Sequence, residues 1–313
     1  MNLSKPDFWD KEKSFISILF IPFSLIVLFF IFLRKKFTKQ LVFKIPIICI
    51  GNIYIGGTGK TPTSIFLANE LVKIHKNPVI LRKYYKEHRD EHGLIQTNFK
   101  NLILSENRIK GLREAERKNY DSVILDDGFQ DYHFKKDLSI ICFNQNQLVG
   151  NGFVLPAGPL RESLNSLNNA DIVLINGKKD NKFEEKILNI NKNLKIFYSY
   201  YKMVDINHLK NKNLLVIAGI GNPENFFQLI SKHNLNIQKK LIYPDHYLFN
   251  KNEIKNIVKE AKDKNYKIAM TEKDYFKIKD FDIDDIECIK VSLEIIEKEK
   301  FVKIVEDLYD KKN

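Results

Sequence analysis

Cysteine is scarce in this 313-residue chain: only Cys49, Cys142 and Cys288 occur, far apart and each inside an apolar run. An odd count without ligand-like spacing excludes a disulfide framework and a thiolate metal site, and reads as three reduced, buried cysteines of a cytosolic protein. Internal repeats are also absent. The balance of 51 basic against 39 acidic residues gives a net charge of +12, yet the bases are scattered among asparagine and isoleucine. No cluster interleaves them with aromatics, so nothing in the pattern calls for a nucleic-acid partner. With 44% apolar and 12% aromatic residues, the chain can bury one large core or two modest ones, as a folded enzyme does.

Charge itself is missing from one stretch. Ser14 to Leu33 are twenty uncharged residues rich in Phe, Ile and Leu, a length that at helical rise matches a hydrocarbon core about 30 Å thick. Arg34, Lys35, Lys36, Lys39 and Lys44 follow with no acid among them, whereas Met1 to Lys13 balances its charges. The positive-inside rule places the rest of the chain on the cytoplasmic side. A cleaved signal would carry its bases before the apolar run, so the segment reads as a retained membrane-associating helix. Pro22 lies inside it, and both a span and a helix sunk in the interface fit.

Beyond Phe43, short β-branched runs alternate with amphipathic stretches. Strands are expected at Ile45 to Ile53, Pro78 to Leu81, Leu102 to Leu104, Ser122 to Leu125, Leu138 to Phe143 and Asp171 to Ile175. A second set comprises strands at Leu214 to Ala218, Lys267 to Met270 and Glu287 to Val291, with helices at Pro223 to His233, Lys251 to Lys262 and Leu293 to Tyr309. The expected fold class is α/β: a P-loop NTPase-like parallel sheet core, a second and smaller α/β lobe, and the N-terminal helix. The corresponding blocks are residues 1–38, 39–200 and 201–313, joined between about Ile175 and Leu214, where apolar periodicity fades.

Chemistry enters at Gly56-Gly57-Thr58-Gly59-Lys60-Thr61, which follows a strand and opens a helix. Such a loop brings backbone N–H groups close to phosphate oxygens, Lys60 reaches the β- and γ-phosphates, and Thr61 offers a hydroxyl to Mg²⁺. The generic consensus has glycine where this chain has Tyr54, so the nucleotide-binding stretch is taken as Tyr54 and Ile55 through Thr61. An acidic metal partner is expected at the end of a neighbouring strand, and Asp126-Asp127-Gly128 closes Ser122 to Leu125. Pro244-Asp245-His246 supplies an Asp–His pair that could orient or accept a proton. His133 reads as structural.

Six motifs in order resemble the tetraacyldisaccharide 4'-kinase family, the lipid A 4'-kinases. They are Gly51-Asn52 with the glycine loop and Pro62, Leu125 to Gln130, Leu155 to Glu162, Ala218 to Gly221, Pro244 to His246, and Thr271-Glu272-Lys273-Asp274. The apolar segment around Pro22-Phe23-Ser24 is similar to that family's membrane-associating helix. The resemblance implies transfer of the ATP γ-phosphate to the 4'-hydroxyl of an acylated glucosamine disaccharide 1-phosphate, giving lipid IVA at the cytoplasmic face of a Gram-negative inner membrane. ATP with Mg²⁺, the lipid and the membrane surface are the implied partners.

Residue by residue, the resemblance gives Lys60 and Thr61 phosphate and Mg²⁺ roles, makes Asp127 and Glu162 metal-proximal acids, and makes Arg161 a phosphate or substrate contact. It pairs His246 with an aspartate as general base on the sugar hydroxyl, and the counterpart here is Asp90. Arg89-Asp90-Glu91-His92 keeps the family's two acids without the flanking glycine and proline, and Leu81-Arg82-Lys83-Tyr84-Tyr85 keeps Arg82 and Tyr84 without either glycine. A membrane-tethered P-loop switch is the competing reading. The guanine-recognition pattern of such a switch would need lysine where Thr271-Glu272-Lys273-Asp274 has Glu272.

Overall fold

The computed structural model describes residues 6–11, 14–245 and 247–312, and these divide into two compact units. The larger takes the chain up to residue 84, then 101–200, then from 294 onward; the smaller takes 85–100 and 201–293. Each is a parallel sheet wrapped by helices.

The larger unit opens with α1 (Phe15–Phe37), β1 (Ile47–Gly51), α2 (Lys60–Lys73) and β2 (Pro78–Lys83). The excursion into the smaller unit carries α3 (Arg89–Asn98). There follow β3 (Leu102–Ser105), α4 (Arg108–Arg117), β4 (Ser122–Asp126), β5 (Leu138–Asn144), β6 (Ile172–Asn176), α5 (Asn181–Leu188) and the first part of β7 (Lys195–Val204). Strand order is β3-β2-β4-β1-β5-β6-β7. β1, β4 and β5 are buried along their whole length, which explains their unbroken apolar sequences: helices cover both faces.

Register fixes what happens at the carboxyl ends of these strands. Asp126 pairs with Ile50 of β1 on one side and Arg82 of β2 on the other, so three adjacent strands end within one residue of each other. Ligand sites of open parallel sheets lie at this end. Gly51 turns the chain off β1 where a Cβ would stand 2.4 Å from the Cβ of Phe129, so the Gly51-Asn52 motif is first a packing requirement.

The smaller unit holds α3, β8 (Asn213–Ala218), α6 (Pro223–Lys232), β9 (Asn236–Ile242), α7 (Lys251–Asp263), β10 (Lys267–Thr271), α8 (Glu272–Ile278) and most of β11 (Ile286–Ile295), in strand order β11-β10-β8-β9. Along β8, Leu214, Val216 and Ala218 face Phe226, Phe227 and Ile230, while Leu215 and Ile217 face Ile254 and Ile257. The period of two thus feeds two cores. Helix starts are capped by side chains: Asn222 with Pro223 at the first turn of α6, a reciprocal Asn250–Glu253 box on α7, and Thr271 on α8.

Two expectations need correction. The chain does not fall into consecutive blocks, because α3 belongs with the smaller unit and the C-terminal helix with the larger. The units do change over between Ile175 and Leu214, at residues 200 and 201, within a span that is folded as α5 and β7, whose alternating exposure along Lys195–Val204 hides the apolar signal. Leu293 lies in β11, and α9 is Lys298–Lys312. Phe301 of α9 is fully buried against the rings of Phe66 and Phe197, and the Tyr309 hydroxyl donates to Ser122 Oγ at 2.7 Å, which returns the C-terminus to the larger core.

Helix α1 is long and apolar enough to cross a membrane, and most of it is exposed. It is also tied to its own unit. Ser24 Oγ donates to Val154 O at 2.7 Å and accepts the Ala157 N–H at 3.1 Å, while Asn151 Nδ2 donates to Ser17 Oγ at 3.0 Å. Val27 and Leu28 pack on the core from the same helix. The other faces present Phe15, Leu19, Phe23, Ile26, Phe30 and Phe37 outward.

Candidate active site

The loop after β1 is shaped by glycine and pinned by two other segments. Gly56 and Gly59 take φ of 108° and 93°, values open to glycine and strained for other residues, and Gly59 caps α2. Asn52 Nδ2 donates to Tyr54 O at 2.6 Å and to Gly56 O at 3.2 Å. Tyr54 is buried and bridges Leu160, while the Ile55 N–H donates to Pro159 O at 2.9 Å. The residue that breaks the generic consensus is thus buried where the backbone at Tyr54 and Ile55 anchors the loop to the Leu155-to-Glu162 motif.

Asp126 is the hub. Fully buried, it accepts Thr61 Oγ1–H at 3.0 Å, Ser64 Oγ–H at 3.1 Å and a bond from Arg82 Nη1, which also donates to Thr61 Oγ1 at 3.2 Å. A carboxylate removed from water needs such a charged partner. Of the two strand-end acids, the one bonded to the loop threonine is Asp126.

Asp127 turns the other way. Its φ of 58° lies in the left-handed region, which aspartate tolerates, and its N–H donates to Ile50 O. Its carboxylate meets Arg161 Nη1 at 3.0 and 3.3 Å and Lys60 Nζ at 3.6 Å, and Arg108 Nη2 donates to its backbone O at 2.6 Å. Burial alone would raise the Asp127 carboxyl, but Lys60, Arg161, Arg82 and Arg108 outweigh it and hold the group well below the usual carboxylate range. Burial lowers the Lys60 ammonium, against the pull of Asp127.

Glu162 is buried, and its Oε2 accepts from Lys35 Nζ at 3.2 Å, while that ammonium lies 5.1 Å from the Tyr132 ring. Burial first, then Glu162, raises the Tyr132 hydroxyl. The basic flank of α1 thus reaches an acid of the candidate metal set. Among the described residues, no three His, Cys, Asp or Glu side chains converge as a ligand cage. Thr61, Asp126 and Asp127 offer hard oxygens beside the glycine loop, which suits Mg²⁺, an ion that keeps most of its shell for phosphate and water. The cysteines take no part: burial pushes the Cys49 thiol up to about 11 and those of Cys142 and the half-buried Cys288 to about 12.

The remaining sequence-selected residues belong to the smaller unit. Asp90 is buried in the first turn of α3, with Lys273 Nζ at 3.7 Å and Lys277 Nζ at 3.8 Å from its Oδ2. Asp245, in the turn after β9, accepts from Lys273 Nζ at 2.8 Å. His246 lies outside the described residues. Sequence reasoning missed Ser64 and Arg108, which sit one helical turn into α2 and at the start of α4 with no motif to mark them. Lys273 was marked by its motif but given no role.

Comparison with known proteins settles the family. A profile of the tetraacyldisaccharide-1-P 4'-kinase family, LpxK, matches residues 16–310. This chain belongs to that family. A tetraacyldisaccharide 4'-kinase of Pelagibacter ubique is 39% identical over 98% of this chain and 99% of its own length. One from Rickettsia bellii is 35% identical over 94% of this chain and 95% of its own length. Among solved structures, LpxK from Aquifex aeolicus in complex with ATP superimposes with a TM-score of 0.71, covering 94% of this chain and 99% of that one at 23% identity, a likeness of fold. The α/β parallel-sheet class and the kinase family stand together.

Proposed function

We infer that this chain is an ATP-dependent lipid kinase that moves the γ-phosphate of ATP to the 4'-hydroxyl of tetraacyldisaccharide 1-phosphate. The observation that carries the reading is the buried Thr61–Asp126–Arg82 triangle with Lys60 and Asp127 beside it, in a chain of the 4'-kinase family. It is the charge arrangement that phosphoryl transfer uses, where positioning and neutralisation do most of the work.

In this mechanism the glycine loop and the start of α2 cradle the triphosphate, and Lys60 neutralises the β- and γ-phosphates. Thr61, Asp126, Asp127 and Glu162 are the residues that would hold Mg²⁺, whose charge offsets that developing on the transferred phosphoryl group. Arg161, paired with Asp127, would contact a phosphate oxygen. On the acceptor side, Asp90 with His246 takes the proton of the 4'-hydroxyl as its oxygen bonds to phosphorus and the bond to ADP breaks.

Membrane contact falls to α1. One face is committed to Val154, Ala157 and the core, so the exposed Phe and Ile faces enter the lipid while the domain stays outside, and the helix lies along the surface. Arg34 and Lys36 at its end favour an anionic leaflet and the cytoplasmic face.

The test is direct. Detergent-solubilised protein given γ-labelled ATP, Mg²⁺ and tetraacyldisaccharide 1-phosphate is expected to label the lipid. Nucleotide binding without lipid labelling would overturn the reading in favour of a membrane-tethered switch.

A further inference from the structure

Thr271-Glu272-Lys273-Asp274 has no part in the chemistry above, yet it ties several segments of the smaller unit together. Thr271 Oγ1 accepts the Asp274 N–H at 3.1 Å and donates to Asp274 Oδ2 at 2.7 Å; that oxygen also accepts the Gly219 N–H at 2.8 Å. Lys277 Nζ donates to Asp274 Oδ1 at 2.7 Å and to Gly219 O at 3.1 Å. Glu272 accepts from Asn98 Nδ2 at 3.0 Å, so the same short segment also grips the end of α3. These bonds fix the start of α8 to the ends of β8 and α3.

From that fixed base Lys273 extends into a second set of acids. Its Nζ lies 2.8 Å from Asp245 Oδ1, 3.1 Å from Glu91 Oε1 and 3.7 Å from Asp90 Oδ2. The acids come from segments more than 150 positions apart in sequence, α3 and the turn after β9. The Lys273 side chain is 14% exposed and that of Asp90 only 2%. So little water reaches the group that the bridge counts for more than a surface ion pair. An ammonium with three freely directed donors suits three carboxylates better than a planar guanidinium does.

We propose that Lys273 is a positioning residue for the acceptor side of the site: its ammonium ties Asp245, in the turn after β9, to Asp90 and Glu91 of α3. The proposal rests on the reading of Asp90 as part of the base, and it extends that reading to the residue that holds Asp90 against the turn after β9. Asp274 and Lys277 hold the platform, and Lys273 ties Asp245 and the acids of α3 to it.

Two kinds of measurement on the full-length protein test this. Amide hydrogen exchange of Lys273→Met is expected to rise in both 86–93 and 243–248 while 47–64 of the larger unit is unchanged. Asp245→Asn, a milder change at the other end of the bridge, is expected to raise exchange in 86–93, and it carries the test if Lys273→Met does not fold. In the transfer assay, Lys273→Met is expected to lower kcat about 100-fold, with ATP affinity within about twofold of wild type and partial recovery in Lys273→Arg. Unchanged exchange in 86–93 for both variants, or a kcat for Lys273→Met within twofold of wild type, would overturn the proposal. Wild-type kcat in Asp90→Asn is a different result: it removes the base reading and leaves the exchange outcome to decide whether Lys273 makes the bridge.

Discussion

The two charged clusters are built by opposite means. In the larger unit the backbone delivers the groups: Asp126, Ile50 and Arg82 stand side by side because three parallel strands end in register, and Lys60 and Thr61 begin the helix that follows the first of them. In the smaller unit long side chains gather the groups, and Lys273 and Lys277 span carboxylates from separate segments. A cluster fixed by strand register resists single substitutions in geometry but not in charge. One gathered by lysines depends on each lysine for its geometry.

The comparison breaks most visibly at Lys60. Lys60→Ala is expected to reduce lipid phosphorylation about 1,000-fold, because it removes a charge aimed at the transferring phosphate; labelled-ATP transfer measures it. Next comes Arg82→Met, which leaves Asp126 buried beside two hydroxyls with no cation bonded to it. A loss of about 3 kcal/mol in unfolding free energy by chemical denaturation is expected. Asp90→Asn sharpens the contrast, with transfer slowed about 100-fold and folding stability little changed, since the exchange also relieves repulsion among the acids near Lys273.

Smaller effects follow from pH and from the membrane helix. The folded Asp127 carboxyl lies below its ordinary value of 3.8, so its contribution to stability is complete above that pH and fades as the solution is acidified through the folded value. The stability gap between wild type and Asp127→Asn is therefore expected to be full near neutrality and to close in strong acid, read by thermal unfolding across pH. Ser24→Ala removes one donor and leaves the Ala157 N–H without its acceptor, for a loss of about 1 kcal/mol and looser docking of α1.

The sequence carried the first cluster well and the second poorly, for the same physical reason. Glycine spacing, Lys60-Thr61 and the Asp126-Asp127 strand end are contiguous signals, and β1 and β4 announce themselves by unbroken apolar runs. Which acid bonds Thr61 was not legible, because the choice depends on the left-handed turn at Asp127 that sends the second carboxylate toward Arg161. β7 and β9 were missed because their alternation uses lysine, asparagine and tyrosine on the open face. The placement of α3 was out of reach: its tie to the smaller unit runs through Asn98–Glu272 and the Lys273 bridge, contacts across about 180 residues that no local pattern encodes.

The division of labour between the clusters is tested most directly by measuring ATP affinity and single-turnover lipid phosphorylation side by side in Lys60→Ala and Asp90→Asn. The account predicts that Asp90→Asn binds ATP as wild type does and transfers about 100-fold more slowly, while Lys60→Ala loses both nucleotide affinity and transfer. Weakened ATP binding in Asp90→Asn, or wild-type transfer in either variant, would contradict it.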